Sequence, residues 1–257
     1  MNIDISGKTA VVCGASQGLG EASARMLASM GARVIAIARS EQMLSGVVTS
    51  LPRAAHQFLI RDFRNREEVE LTAQQLSAID IDILVNNAGG PPPGAAESAK
   101  ADEYLEALQI HLLTSATLTS AVLPGMKSRG WGRIVNIVSV SGKSPVANLA
   151  VSNSVRGAII NWAKTLSNEV AAHGVTVNNV LPGYTRTSRL DFLNSNAAKR
   201  TGRSIEEVEA GIISQVPMER FGEPHEIAAA VAFFASPAAS FITGTSLAAD
   251  GGWSKYS

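Results

Sequence analysis

Three glycines, Gly14, Gly18 and Gly20, stand in the spacing G-x-x-x-G-x-G directly after the apolar run Thr9–Cys13. Glycines so placed turn the chain sharply out of a strand, let a ligand approach the backbone, and let a helix pack close to the strand it leaves. The amides that open the next helix then face an anion, and the helix dipole favours a pyrophosphate there. At the end of the second apolar run, 34–38, Arg39 stands where an acid would bond a ribose 2′-hydroxyl. An arginine at that point accommodates a 2′-phosphate, which favours NADP(H) over NAD(H). Farther along, Ser152 and Arg156 are spaced to share one face of a helix that continues to Ala172. Cys13 lies inside the first strand and reads as a buried structural thiol, not a nucleophile. His56, His111, His173 and His225 lack ligand spacing, so no metal site is expected.

These residues need a scaffold, and the patterning supplies one. Short apolar runs at Thr9–Cys13, 34–38, Gln57–Ile60, 81–85 and 133–138 alternate with helical stretches at 21–30, from Glu41, and at 66–78. In the last of these helices Val69, Leu71, Ala73 and Leu76 are the apolar positions. That rhythm predicts βαβ units with right-handed crossovers and a parallel sheet covered on both faces. At 257 residues and 46% hydrophobic, the chain fits one large α/β domain with a sizeable core.

Lys+Arg and Asp+Glu are 22 each, and no basic run or aromatic-interleaved patch is present, so nucleic acid is not an expected partner. Near-zero net charge permits oligomers. The lone cysteine excludes an internal disulfide and suits a reducing compartment. With no signal segment and no long apolar run, the expectation is a cytoplasmic protein with no membrane partner.

Read in order, GASQGLG (14–20), Asp62, NNAG (86–89), GRIVNIVSVSG (132–142), VTVNNVLPG (175–183), ITG (242–244) and DGG (250–252) resemble the short-chain dehydrogenase/reductase family. The likeness runs over essentially the whole chain and is nearest to 3-oxoacyl-(acyl-carrier-protein) reductase-like members. It implies a single doubly wound, Rossmann-type α/β domain with a mostly parallel sheet of about seven strands flanked by helices. It also implies NADP(H)-dependent oxidoreduction of a carbonyl/alcohol pair, a 3-oxoacyl thioester being one candidate substrate.

The resemblance carries roles with it. Gly14, Ser16, Gly18, Leu19 and Gly20 would cradle the pyrophosphate, and Asp62 would contact the adenine amine. Asn86, Ala88 and Gly89 would line the adenosine ribose, while Pro182, Gly183 and Thr187 would approach the nicotinamide. The loop GPPPG (90–94) would sit at the carboxyl end of the fourth strand, and 186–217 would form a substrate lid. The last helix and strand would pack dimers or tetramers, with Phe233, Phe234 and Phe241 in interface or core.

The chemistry departs from the family pattern. Ser139 is in place, but the tyrosine position reads Ser152, the lysine position Arg156, and the asparagine position His111. A serine hydroxyl is a far weaker acid than a phenol of pKa about 10. Arg156 can orient the nicotinamide ribose, yet it stays charged and passes no proton on. Of Tyr104, Tyr184 and Tyr256, only Tyr184 falls at the nicotinamide edge, directly after Pro182-Gly183. The proton donor therefore stays open among Ser152, Tyr184, His111 and water. In another reading, Ser139, Ser152 and Arg156 form a cationic cluster for a ligand carboxylate or phosphate, with Arg186 and Arg189 meeting an anionic substrate. Two further classes compete: a non-redox dinucleotide sensor, and a lyase or isomerase that uses the cofactor structurally.

Overall fold

The computed structural model describes residues 2–52 and 55–255, so Tyr256 lies outside the described residues. Its strands are β1 Thr9–Cys13, β2 Arg33–Ala38, β3 Gln57–Ile60, β4 Ile83–Asn86, β5 Gly132–Ile137, β6 Val175–Pro182 and β7 Ser246–Ala249. All pair in parallel in one sheet, in the order β3-β2-β1-β4-β5-β6-β7. The helices are α1 Gly18–Ser29, α2 Glu41–Thr49, α3 Arg66–Ser77, α4 Ala101–Leu108, α5 Thr114–Ser128, α6 Ala150–Val170, α7 Ser188–Thr201, α8 Ile205–Ile213 and α9 Pro224–Ala235. The strand order reverses between β1 and β4, and that switch opens a crevice at the carboxyl ends of the strands.

Both faces of the sheet are covered, which is why β1, β5 and β6 are buried along their whole length. Val12 and Val34 face a core shared with Leu27 of α1 and Val231 and Phe234 of α9. Val11 and Ile35 point the other way, onto Val69 of α3, Leu118 of α5 and Ala163 of α6. This two-residue alternation along strands buried on both sides gives the expected doubly wound fold.

A polar ladder crosses the sheet next to the crevice. Asn86 Nδ2 donates to Asn136 Oδ1 at 2.9 Å, Asn136 Nδ2 to Asn179 Oδ1 at 2.9 Å, and Asn179 Nδ2 to Ser246 Oγ at 3.0 Å. These residues are in register across β4, β5, β6 and β7. Buried amides satisfied by one another fix strand register while leaving no donor stranded.

Boundaries shift where local chemistry intervenes. Helix α1 begins at Gly18, three residues ahead of the expected start at Glu21, because the glycine turn itself winds into the first helical turn. Ile81 is core but precedes β4; there the Thr9 amide donates to the Asp82 carboxylate at 3.0 Å. Tyr104 lies on α4 as expected, whereas His111 sits in a π-helical turn, Gln109–Leu113, between α4 and α5. Phe234 is core and Phe233 packs partly buried against it, but Phe241 is fully exposed and belongs to no core.

Candidate active site

Gly14 leaves β1 with a φ of +61°, a left-handed conformation that side chains resist. A Cβ at Gly20 would collide with the Gly14 carbonyl, so α1 can rest on the turn only as glycine. Asn87 locks the turn from β4 by donating Nδ2 to the carbonyls of Cys13 (3.2 Å) and Gly14 (3.4 Å). Ser40, Asn65, Thr187 and Ser204 cap α2, α3, α7 and α8, whereas Gln17 gives α1 no side-chain cap. An uncapped helix start beside a glycine turn fits a pyrophosphate group, and a Cβ at Gly89 would meet nothing within 4 Å. The methyl group of Thr187 approaches Gly18, at 3.4 Å from the position a Cβ would take, so the α7 start closes over the turn.

At the adenosine end, Arg39 is exposed at the β2 exit. The Asp62 carboxylate is engaged by Arg64 through Nε and Nη2, the shorter contact being 2.6 Å. That hydrogen bond holds the Asp62 carboxyl below its usual range, with a smaller contribution from the charge of Arg39. The Asn86 side chain is committed to the sheet ladder, so only its backbone is free to face a ribose.

At the reaction end, Ser139 follows β5 in extended backbone and accepts from the Ser141 amide at 3.1 Å, which leaves its own O–H free to donate. Ser152 lies in the first turn of α6 and is buried, with Arg156 one turn later and 7% exposed. Arg156 reaches the carboxyl end of β5 and donates Nη1 to the Ile137 carbonyl at 3.0 Å. Burial pulls its pKa down to about 10, and the nearby charge of Arg189 adds to that shift. Loop 90–94 is pinned to this helix start: the Gly94 amide donates to Asn148 (2.9 Å), and the Ala150 amide to Gly94 (3.2 Å).

His111 is 3% exposed and its Nε2 has no partner. Burial drives its pKa well below 6.5, the charges of Arg156 and Arg189 push it the same way, and a backbone hydrogen bond to Gly89 opposes them. The ring is therefore neutral, with one nitrogen tied to Gly89 and Nε2 left as an acceptor. A small cavity of ≈ 10 Å³, lined by His111, Arg156, Asn136, Asn87, Phe63 and Cys13 among others, has room for one water. Burial pushes the Cys13 thiol up to about 12, so it remains protonated there.

His111 and Arg156 line one cavity with the last residues of β4 and β5, Ser139 follows β5 and Ser152 stands one turn before Arg156, whereas Tyr184 is not in that lining. Tyr184 lines a separate cavity of ≈ 170 Å³ with Met218, Arg220, Glu226 and Asp250. There its ring meets Trp253 edge-to-face at 5.7 Å, and burial raises its pKa. Pro182 ends β6, and Gly183 packs against Asp250, where a Cβ would come within 2.6 Å.

Two residues gain roles that sequence reasoning did not assign. Asn87, visible in NNAG, holds the glycine turn. Arg189, near the start of α7, folds over the proline loop and donates Nη2 to the Pro91 carbonyl at 2.6 Å. Arg186, in contrast, is exposed and pairs with Glu223 at 3.3 Å.

Comparison with known proteins agrees with this geometry. The family model described as enoyl-(acyl carrier protein) reductase matches residues 14–254. The 3-oxoacyl-(acyl-carrier-protein) reductase FabG of Vibrio cholerae is 36% identical over 252 residues, covering 97% of this chain and 98% of that protein. Among solved structures, YwfH, an NADPH-dependent reductase involved in bacilysin biosynthesis, superposes with a TM-score of 0.92 at 31% identity, covering 98% of this chain and 100% of that one. A variant of actinorhodin polyketide ketoreductase with NADPH gives 0.91 at 32% identity, covering 97% and 98%. With motifs, sheet order, crevice and relatives in agreement, the chain belongs to the short-chain dehydrogenase/reductase family.

Proposed function

We propose that this protein is an NADP(H)-dependent oxidoreductase acting on a small-molecule carbonyl/alcohol pair. The observation that carries the reading is an uncapped, glycine-opened helix start after β1, with His111 and Arg156 lining one small cavity beside Cys13 and Asn87, Ser139 at the exit of β5 and Ser152 one turn before Arg156. Gly14, Ser16, Gly18, Leu19 and Gly20 hold the pyrophosphate, and Arg39 faces the 2′-phosphate, which matches the NADPH named for its structural relatives. Bound nicotinamide supplies or accepts a hydride.

Ser139 donates a hydrogen bond from its free hydroxyl to the carbonyl oxygen, where negative charge grows during reduction. Arg156 orients the nicotinamide ribose and adds positive charge beside the developing alkoxide. The proton comes by way of water. Ser152 gives its hydroxyl proton to the alkoxide and takes one back from a water drawn from solvent, while a second water in the small cavity accepts from Arg156 and donates to His111 Nε2. His111 is thus a positioning acceptor, since a neutral ring bonded to Gly89 has no second proton to give. Tyr184 stands outside this path. A 3-oxoacyl group is the substrate label that the FabG relatives support; their chemistry favours a reductase over a sensor or a lyase.

Helices α7 and α8 form the lid over the crevice, anchored where Thr185 bridges Gly222. Edge strand β7 and the exposed Leu247 and Phe241 suit a homodimer or homotetramer contact. No described helix is long and apolar enough to cross a membrane, and a cytoplasmic setting fits the single buried thiol.

The test has two parts. Fluorescence titration should show NADPH binding tighter than NADH. Turnover of NADPH with acetoacetyl thioesters and a small panel of ketones should then give activity that Ser139→Ala removes. Absence of binding to either dinucleotide overturns the reading.

A further inference from the structure

The crevice carries an unusual charge balance. Arg156 is 7% exposed, and Arg189 is half-buried over the proline loop, where a Cβ added to Gly90 would sit 3.1 to 3.3 Å from its guanidinium. Among the described residues, none of the ion pairs includes either arginine. Other arginines do find acids: Arg64 bonds Asp62, Arg129 bonds Asp80, and Arg220 bonds Glu226. Each unpaired guanidinium has one backbone acceptor, Ile137 for Arg156 and Pro91 for Arg189. His111, which shares a small cavity with Arg156, keeps its Nε2 buried and unpartnered, and the charges of both arginines act on its ring. A buried and a half-buried cation without an acid beside them leave the site incomplete without an anion.

We propose that Arg189 binds a carboxylate carried by the carbonyl substrate, with the charge of buried Arg156 adding to the attraction, so that the preferred substrate is a free oxo acid and not its ester or thioester. The proposal rests on the carbonyl reductase reading and narrows its substrate class. An arginine fork engages a carboxylate through two N–H donors at once, and Pro91 fixes one arm of Arg189 in place beforehand. The phosphates of a long acyl carrier lie many bonds from its carbonyl, whereas the carboxylate of a small oxo acid sits within a few atoms of it. The charge is therefore placed for the latter.

Two measurements test this. First, full-length protein saturated with NADPH is titrated calorimetrically with malonate, a dicarboxylate that has no ketone. The wild type should bind it, Arg189→Gln should weaken binding about 10- to 100-fold, and Arg189→Lys should fall between. Second, kcat/KM is compared for acetoacetate and ethyl acetoacetate. The wild type should favour the acid, and the acid-to-ester ratio should drop by a similar factor in Arg189→Gln. Because the ratio is the readout, any general displacement of α7 cancels. No malonate binding by the wild type, equal binding by wild type and Arg189→Gln, or a wild-type preference for the ester each overturns the carboxylate clamp. If neither ketone is reduced, the malonate titration decides alone. If NADPH fails to bind, the reductase reading falls, and malonate binding to the protein by itself still decides the clamp.

Discussion

The two ends of the crevice are built on opposite principles. The pyrophosphate end is made of backbone: a left-handed Gly14, a helix packed on it through Gly20, and Asn87 clamping the turn. The reaction end is made of side chains, with His111 buried in a π turn, Arg156 buried, Arg189 half-buried, and neither arginine in an ion pair among the described residues. Backbone geometry tolerates almost no substitution, since a single methyl group meets a carbonyl. Side-chain chemistry can be exchanged, residue for residue, while the frame around it stays the same. This contrast explains how a chain can keep the motifs of dinucleotide binding while the side chains at the reaction end change.

The contrast can be broken at either end. The largest effect is expected from Gly20→Ala, whose new methyl group collides with the Gly14 carbonyl. Overpacking of this kind should destabilise the fold by about 3 kcal/mol and abolish measurable NADPH binding, read by thermal denaturation and fluorescence titration. Ser139→Ala should leave NADPH affinity near wild type and lower kcat about 10²- to 10³-fold, as expected for a lost donor to the developing oxyanion. A large change in affinity would place Ser139 in cofactor binding instead.

A smaller pair of effects separates the two cavities. His111→Ala should reduce kcat about 10²-fold, because the water loses its acceptor, while Tyr184→Phe should change kcat by no more than about twofold. The reverse order would return Tyr184 to the reaction.

The last expectation concerns pH. The folded His111 pKa lies well below 6.5, so the unfolded chain binds the extra proton more readily. This contribution to stability is complete above pH 6.5 and is lost as the pH falls from there toward the folded value. Chemical denaturation at pH 7.5 and pH 5.5 should therefore show a steeper acid loss for the wild type than for His111→Gln, by up to about 1.4 kcal/mol per pH unit. Equal slopes would mean that the ring is not held neutral in the fold.

Much of the frame was legible from the chain. Thr9–Cys13 and Gln57–Ile60 match their strands to the residue, and the helix–strand alternation led to the parallel, doubly wound sheet. The reason is local: period-two burial, glycine punctuation and the G-x-x-x-G-x-G spacing act over a few residues. What was not legible depends on contacts between distant segments. The Arg189 side chain meets a carbonyl 98 residues away, and Asn87 reaches the turn 73 and 74 residues before it. Phe241 has the same composition signal as Phe234, but only the packing of the last elements leaves one exposed and the other in the core.

By itself, the sequence determined the fold and the glycine turn that opens α1, because each is written in residue type and short spacing. Tertiary structure alone decided that Tyr184 opens into a different cavity, that His111 is a buried neutral acceptor, and that neither Arg156 nor Arg189 forms an ion pair among the described residues. Those facts arise from desolvation and from charges brought together across the fold, and neither exists until the chain has closed on itself.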